Sequence, residues 1–527
     1  MFWMDFMKSL RDLLWILPCS LVLGLVLSIL GPGIWWIGWL AYSILFILGM
    51  LALSALWRSA GSPRALGWML ILSLVLRLGM GIFFSYVLPV YGNDNEVHHG
   101  GYIYRDAFTY DTQAWNLAAS GDPLWKAFDR SYGIEEQYGG LTFTLSLTYR
   151  LFSPDSQRPW LTICLSVLMG ALGVALAWMG ARQAWGEGLA LALGWIMALY
   201  PESLFSGCSQ IREPFLLLFV AMLLWATSTL QETRQRTAWI WLAGGILGLF
   251  LFSPGIAVAT LVVLGVWVWL EHKEVHIRWW WMAGVAAAIA LASLLFSQIV
   301  SGTLKVQGGP LANLVNWLKF SMNFGAYVTT LNSGWLQTIF ETLPESLHLP
   351  FIVAYGIAQP VLPAAMADPA VWPVRLIGIL RGLGWYALLP LLLYSLRPIW
   401  KTANKRGRMA WLWLWLAVWV WIILASARAG GDQWDNPRYR VILLMFQAAL
   451  AAYSLLWARQ RRDRWLGRIL AVEGVFLVLF GYWYLSRYTN TDLRIFNIFV
   501  VFTAIAVISL AILIGGWLWD RRQAKQR

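Results

Sequence analysis

Apolar runs of about twenty residues recur along almost the whole length of this 527-residue chain. A run of that length spans the hydrocarbon core of a bilayer, about 30 Å thick, when it is an α-helix. Lipid offers the backbone no hydrogen-bond partners, so a spanning chain must be a helical bundle or a closed barrel. The short alternating strands of a barrel are not visible here. The sequence therefore predicts an all-α polytopic membrane protein.

The apolar runs define about fourteen predicted spans by the length criterion for membrane helices. They cover residues 13–31, 34–57, 65–90, 159–181, 188–205, 214–230, 238–252, 255–270, 279–300, 374–396, 410–427, 441–457, 468–486 and 494–519. We divide the chain into N-terminal spans 1–64, a central module 65–300 containing a long external loop 92–158, a large external segment 301–373 that is partly re-entrant or surface-lying, and C-terminal spans 374–527.

The basic residues lie in short clusters between the apolar runs, and the clusters occur at every second loop. This is the positive-inside pattern, in which basic loops face the cytoplasm. It predicts a multi-pass protein of a cell membrane, most simply a bacterial cytoplasmic membrane, with both termini cytoplasmic and with loops 92–158 and 301–373 external. The net charge of +13 is explained by these clusters, so no nucleic-acid partner is predicted.

The acids concentrate in the first long external loop, around RDAFTYDTQAWNLAASGDP at 105–123. This stretch predicts a short surface helix, on which Asp106, Tyr110 and Ala114 share a face because they are four residues apart. A carboxylate that a short surface helix holds near the membrane, over an apolar bundle, is suited to act as a general base, and Asp106 is our candidate. A simpler interpretation stays open, that an acid at a helix start only complements the helix dipole. Asp111 is the alternative carboxylate.

Three further polar groups are predicted to face the same side of the membrane. Glu135 and Glu136 precede an apolar stretch, 138–152, that we place as an interfacial helix; they cap it or supply a second acid. The break LYPESLFSGCSQIREP contains Arg212 and Glu213, and an arginine fork suits phosphate, although an ordinary polar turn would look the same.

The third group is GDQWDNPRYRVILL at 431–444, where Arg438 and Arg440 lie on the predicted external side. External arginines run against the positive-inside trend and call for an anionic partner. That partner is a lipid phosphate or a neighbouring carboxylate, Asp432 or Asp435. No metal site is firmly predicted, and His98 and His99 are the only histidines close to acids in this loop, which leaves a divalent metal open.

The polar groups and the order in which they occur along the chain resemble those of the GT-C superfamily of glycosyltransferases that use polyprenyl-phosphate sugars. The resemblance is to the branch that contains the aminoarabinose lipid A transferases and the protein O-mannosyltransferases. It rests on residues that stand in the family's order: Asp106, Tyr110 and Gly121 in the first external loop, Glu135 or Glu136 before the juxtamembrane helix, Pro201, Arg212 and Glu213 around the next external turn, and Arg438 and Tyr439 near the C-terminal end. Ala107 departs from the pattern, since many relatives have a second acid there.

The resemblance implies a GT-C-like bundle with external juxtamembrane helices and a transfer reaction on the external face. The donor would be a polyprenyl-phosphate-linked sugar, and the acceptor a glycan, a lipid or a protein. Asp106 would be the catalytic base, with Asp111, Glu136 and Glu213 as supporting or alternative acids. Arg212, Arg438 and Arg440 would bind the donor phosphate, and Tyr110 and Tyr439 would contact substrate. A single displacement would invert the anomeric centre.

Other functions remain open from the sequence. A polysaccharide polymerase or ligase would use the long external segment 301–373. A flippase or transporter of lipid-linked sugars would need a polar path, for which Arg77 and Glu473 inside predicted spans are the candidates. Ala107 also leaves open a homologue that has kept the fold without the activity. Membrane lipids are expected partners in every case.

Overall fold

The computed structural model describes residues 2–129, 133–232, 235–271, 339, 342–402, 404–488 and 497–526. Within these residues all regular secondary structure is helical, in agreement with the all-α prediction. The chain forms two compact units, Met1–Leu264 and Gly265–Arg527. Each unit is described separately below.

The first twelve helices build unit 1, and the last of them continues past its boundary. Their bounds are α1 Phe2–Leu30, α2 Trp35–Ser59, α3 Arg64–Tyr91, α4 Glu96–His99, α5 Arg105–Ala119, α6 Gly140–Phe152, α7 Pro159–Trp185, α8 Glu187–Leu199, α9 Pro201–Gly207, α10 Glu213–Glu232, α11 Thr237–Phe252 and α12 Pro254–Glu271. A 3₁₀ turn, Leu124–Phe128, follows α5.

Nine described helices belong to unit 2. Their bounds are α13 Glu345–Ala358, α14 Leu362–Ala367, α15 Trp372–Tyr394, α16 Leu396–Lys401, α17 Lys405–Ala429, α18 Asp435–Val441, α19 Leu444–Arg461, α20 Arg464–Tyr488 and α21 Ile498–Gln526.

Helix α7 is the centre of unit 1, because it is buried along most of its length and packs against α2, α3, α8 and α10. Small residues make this close packing feasible. A Cβ atom added at Gly173 would lie 3.3 Å from the backbone of Leu218, and one added at Gly180 would lie 2.9 Å from the backbone nitrogen of Trp225. Membrane helices without a hydrophobic force between them associate through such small-residue contacts.

Helices α8 and α9 meet at a 55° bend, and a buried arginine braces it. Pro201 begins α9, where its missing N–H costs no hydrogen bond. From α3, the Arg77 guanidinium donates to the Met197 carbonyl at 3.3 Å and to the Ser203 hydroxyl at 2.7 Å, on either side of the bend. The same group contacts Ser73 one turn away. These contacts give the intramembrane charge of Arg77 a structural role.

Unit 2 has an aromatic core between α15, α20 and α21. Phe480 stacks on Phe476 at 5.3 Å and on Phe502 at 6.0 Å between ring centroids, and Tyr386 stacks on Phe476 at 6.0 Å. Outside this core, α20 and α21 bury little of their apolar surface within the described residues. Their exposed apolar faces are those of helices that meet lipid.

Ten helices in the described residues are long and apolar enough to cross a membrane, or up to twelve if each of two bent pairs is one span. The bent pairs are α8 with α9 and α18 with α19. Of the other predicted spans, 238–252 corresponds to the 16-residue α11 and 279–300 lies outside the described residues. The multi-pass helical architecture is therefore confirmed, whereas the count of fourteen is not.

Both long predicted external segments contain helices among their described residues. Loop 92–158 contains α4, α5 and α6, joined by turns and irregular segments. In the second long segment, residues 301–338, 340 and 341 lie outside the described part, and the described residues include α13, α14 and the start of α15. The division into four sequence regions and the sidedness of the loops stay predictions.

Candidate functional site

Helix α5 carries the candidate base at the edge of its buried face rather than within it. The fully buried positions of this amphipathic helix are Ala107, Asp111, Ala114 and Leu117. Asp106 and Tyr110 are partly buried beside that face. Asp106 lies in the first turn, where a carboxylate also complements the helix dipole. The helix therefore turns one carboxylate inward, Asp111, and leaves the other, Asp106, partly accessible.

Asp111 is the centre of a buried hydrogen-bond network, with 0% of its surface exposed. The Tyr102 hydroxyl donates to Asp111 Oδ2 at 2.7 Å, and the Gln157 amide donates to the same oxygen at 2.9 Å. The Tyr149 hydroxyl lies 2.8 and 2.9 Å from the two carboxylate oxygens, and the Thr162 hydroxyl donates to Oδ1 at 2.8 Å. These donors lie in the turn before α5, in α6, in the loop before α7 and in α7 itself. Asp111 therefore ties α5 to α6 and to the start of α7.

Burial raises the pKa of Asp111, and its hydrogen bonds, from Gln157 first, oppose that rise. Burial also raises the pKa of Tyr102 and Tyr149, so both phenols keep their protons and act as donors. A buried polar network whose members are all satisfied is rigid, because every broken bond leaves an unsatisfied group. Asp111 therefore fits a positioning role better than proton exchange with a substrate.

Glu136 caps helix α6 from the preceding turn. Its Oε1 accepts the Leu141 N–H at 3.2 Å, and its Oε2 accepts the Thr142 N–H at 2.7 Å. Burial raises the pKa of Glu136, and the two amide hydrogen bonds oppose that rise. Helix starts leave such N–H groups without partners, so this carboxylate satisfies two of them. Of the two interpretations from sequence, capping is the one that these contacts favour.

The turn before α10 places a cation, Arg212, near the loop that precedes α6. The Arg212 guanidinium lies 5.4 Å from the centroid of the Tyr138 ring. Its charge opposes the rise that burial causes in the pKa of Glu136. Glu213 follows as the first residue of α10 and is buried. The partly buried Arg212 is thus close to the loop that precedes α6. Arg212, a predicted phosphate ligand, therefore lies near Glu136, one of the predicted acids.

The start of α5 is joined to α9. The hydroxyl of Tyr104, which precedes α5, donates to Glu202 Oε1 at 3.4 Å, and Glu202 is buried in the first turn of α9. Asp106 lies two residues after Tyr104. At its other end, α5 is closed by Arg150, which donates to the Leu117 carbonyl at 2.8 Å. The helix is therefore fixed at its start, middle and end.

An ion pair fastens the loop before α7 to the loop between α1 and α2. Arg158 donates to Asp155 at 2.5 and 2.8 Å and to the Ile34 carbonyl at 2.9 Å, and Asp155 accepts the Ile34 N–H at 2.8 Å. The Arg158 hydrogen bond lowers the pKa of Asp155. Gly33 is required here because its φ is +85° and a Cβ atom would collide with Ser156.

The predicted C-terminal site residues form a separate cluster in unit 2. Arg440 has 2% of its surface exposed, stacks 3.8 Å from the centroid of the Trp385 ring, and donates to the Ile357 carbonyl at 3.1 Å and to the Gln359 carbonyl. Such stacking and bidentate donation hold its guanidinium against the protein. Arg440 therefore braces the bend between α18 and α19 against α13 and α15.

Arg438 and Tyr439 flank a carboxylate on the first turn of α18. Arg438 donates to Asp435 at 3.3 Å, and the Tyr439 hydroxyl donates to the other Asp435 oxygen at 3.2 Å. The Tyr439 carbonyl accepts a hydrogen bond from Trp421 at 2.9 Å. Of the two partners predicted from the sequence for Arg438, a neighbouring carboxylate, here Asp435, is thus present.

The described acids do not form a metal centre. In the part of the chain that the structure describes, no three His, Cys, Asp or Glu side chains are grouped so that they could hold a metal ion. The oxygens of Asp111 and Glu136 are bound by protein donors, and His98 Nδ1 accepts the Asn93 N–H at 2.7 Å. These atoms of the three residues, which could bind a metal ion, therefore already accept hydrogen bonds from the protein.

Sequence reasoning missed the partners that hold α5. Tyr102, Tyr149, Gln157 and Thr162 lie up to 51 residues from Asp111 along the chain, so no local spacing joins them. One signal was present: Ala107, Asp111 and Ala114 follow helical spacing, and a carboxylate between two alanines on one face indicates a buried acid with partners elsewhere.

No protein-family model and no curated protein matches this chain. Two solved structures from Archaeoglobus fulgidus are similar. One is the archaeal oligosaccharyltransferase AglB in complex with an inhibitory peptide and a dolichol-phosphate, with 14% identity and a TM-score of 0.35 over 85% of this chain and 55% of that one. The other is an oligosaccharyltransferase in complex with Zn and sulfate, with 12% identity and a TM-score of 0.36 over 78% and 52%. This chain spans about half the length of each.

Proposed function

We propose that this protein is an integral-membrane glycosyltransferase of the GT-C type, which moves a sugar from a polyprenyl-phosphate donor to an acceptor on the external face. One observation carries the proposal. Asp106 is partly accessible on a helix whose neighbouring acid, Asp111, is buried and bound by protein donors. A reactive carboxylate must be held still and yet reach a substrate, and α5 meets both conditions.

The proposed reaction is a single displacement. Asp106 accepts the proton of the acceptor hydroxyl while that oxygen attacks the anomeric carbon. The bond between the anomeric carbon and the phosphate oxygen breaks, and polyprenyl phosphate leaves with the bonding electrons. Attack from the face opposite the leaving group inverts the anomeric centre. No covalent enzyme intermediate is needed.

The leaving phosphate gains negative charge as the bond breaks, and a cation fixed nearby would stabilise it. Arg212 is our first candidate, because it is partly buried at the same end of unit 1 as the loop before α6. Arg438 is the second, whereas the contacts of Arg440 favour a bracing role. Tyr110, one turn after Asp106, and Tyr439 are the proposed substrate contacts. Glu213 stays a supporting acid.

The test is consumption of the donor by the purified full chain in vesicles. A panel of undecaprenyl-phosphate-linked sugars, including aminoarabinose and mannose, would be supplied together with a membrane extract as acceptor source. Released undecaprenyl phosphate is the readout, because every transfer produces it whatever the sugar or acceptor. We expect release from at least one donor, and no release of nucleoside phosphates when nucleotide sugars are supplied instead. Movement of an intact donor across the bilayer without release would indicate a flippase and overturn the proposal.

A further inference from the structure

Unit 2 contains a basic cavity that the proposed reaction does not use. Its volume is about 670 Å³, and it opens at the ends of α16, α19, α20 and α21. Five basic side chains line it: Arg397, Lys401, Arg461, Arg462 and Arg464. Two acids, Asp463 and Asp520, line it as well. The cavity is therefore large enough for a small polar group, and its charge depends on how these acids are paired.

Both acids are already neutralised by arginines. Arg397 donates to Asp463 at 2.6 Å, and the Tyr394 hydroxyl donates to the same oxygen at 2.8 Å. Asp520 accepts two hydrogen bonds from Arg468, at 2.7 and 2.8 Å, and Arg468 does not line the cavity. The Arg468–Asp520 pair is bidentate, which is a strong geometry, and Asp463 is bound by both Arg397 and Tyr394. These acids are therefore poorly placed to neutralise other cations.

Four cations in the lining remain uncompensated. Among the residues that the structure describes, Lys401, Arg461, Arg462 and Arg464 form no ion pair. They come from two different turns of the chain, the end of α16 and the junction of α19 with α20. Four positive charges around one cavity would attract an anion that carries hydrogen-bond acceptors, and phosphate fits the planar fork of arginine.

The surroundings of the cavity indicate where that phosphate comes from. Trp400, next to Lys401, is 59% exposed. Near Asp520, Trp517 is 43% exposed and Trp519 is 57% exposed. Exposed tryptophans at the ends of apolar helices mark the boundary between membrane and water. Helices α20 and α21 also expose long apolar faces. The cavity thus lies at the depth of lipid headgroups.

We propose that this cavity binds the phosphodiester headgroup of an anionic membrane lipid, on the membrane face where the basic loops lie. The headgroup phosphate would be held by Arg461, Arg462, Arg464 and Lys401, with its acyl chains against the exposed faces of α20 and α21. Basic pockets between membrane helices on the cytoplasmic side bind anionic headgroups in this way. The site is independent of the transferase proposal, and either can fail alone.

The test compares two triple variants of the full chain. R461Q/R462Q/R464Q removes three cavity cations and keeps both ion pairs. The matched control, K405Q/R406Q/R408Q, removes three cations from the start of α17, which do not line the cavity. Delipidated protein in detergent would be titrated with phosphatidylglycerol and with phosphatidylcholine, and bound lipid counted by native mass spectrometry. Competition with glycerol 3-phosphate separates a lipid from a free phosphate.

We expect the wild type to bind phosphatidylglycerol saturably and in preference to phosphatidylcholine. Each cation should contribute about fivefold to the affinity, so the cavity variant should lose on the order of a hundredfold and the control far less. K401Q, a single change at an exposed helix end, should cost about fivefold and serves if the triple variant does not fold. Equal losses in both triple variants would show nonspecific attraction. Glycerol 3-phosphate displacing the lipid at comparable concentration would show a free-phosphate site. Either result overturns the proposal.

Discussion

The Tyr149 hydroxyl lies 2.8 and 2.9 Å from the two carboxylate oxygens of Asp111, and this contact joins α6 to α5. Both side chains are fully buried. A carboxylate without a cation in such a place is stable only if its acceptor sites are filled, since burying an unpaired charge is costly. The contact therefore explains why an acid lies on the buried face of α5. It also holds in place the helix that carries Asp106.

Removing either partner should destabilise the packing of α5 against α6. Asp111→Asn replaces an acceptor by an amide that faces four donors, and we expect a loss of about 2–4 kcal/mol in unfolding free energy. Tyr149→Phe removes one hydrogen bond to a carboxylate and should cost about 1.5–3 kcal/mol. Unfolding in mixed detergent micelles measures both changes. Because the residues touch, the double variant should cost less than the sum of the two single changes.

Tyr86→Phe is the matched control for this pair, because its ring is 48% exposed and it removes a hydroxyl outside the network. It should change the unfolding free energy by less than about 0.5 kcal/mol. Additive losses in the double variant would mean that Tyr149 and Asp111 are not coupled.

The ion pair between Asp155 and Arg158 should make stability depend on pH in the acid range. The Arg158 hydrogen bond lowers the pKa of Asp155 in the folded protein, so the pair stabilises fully above the unfolded value, about 4. That stability is lost as pH falls through the folded pKa, because Asp155 then takes a proton. Melting temperature measured from pH 6 to pH 3 should fall more steeply in the wild type than in Asp155→Asn. If the melting temperatures of the two proteins fell in parallel with pH, the Asp155–Arg158 pair would not be the cause of the acid sensitivity.

Arg440 and Arg438 should respond differently to a change to lysine. Arg440→Lys keeps the charge but loses the planar contact with Trp385 and one of two carbonyl bonds, so we expect about 2–4 kcal/mol less unfolding free energy. Arg438→Lys should mainly raise the KM for the lipid-linked donor. If instead Arg440→Lys raises KM and leaves stability unchanged, Arg440 contacts the donor phosphate, as the sequence predicted.

The helical, multi-pass fold was readable from the sequence because long apolar runs determine it without knowledge of tertiary contacts. Helix boundaries such as α3 and α7 lie within a few residues of the predicted spans. The bends were harder. The 55° break before Pro201 depends on Arg77 from α3. The 75° break between α18 and α19 depends on contacts that Arg440 of α18 makes with residues of α13 and α15.

Part of the local geometry around the candidate site was readable from helical spacing. Four-residue spacing placed Asp106 and Tyr110 on one side of α5, and both are partly buried. The spacing could not identify the partners of Asp111, because its donors lie in α6, in α7 and in the turn before α5. Glu136 was ambiguous between cap and catalytic acid, since only its contacts with the Leu141 and Thr142 amides decide.

The most direct measurement is the rate of undecaprenyl phosphate release by Asp106→Asn, in vesicles and with the donor that the wild type consumes. Asparagine keeps the shape of the side chain and cannot accept the proton, so we predict a fall of about a hundredfold or more in rate with unchanged melting temperature. Asp111→Asn, whose melting temperature should fall, is the comparison. A folded Asp106→Asn protein that releases undecaprenyl phosphate at the wild-type rate would contradict the assignment of Asp106 as the base.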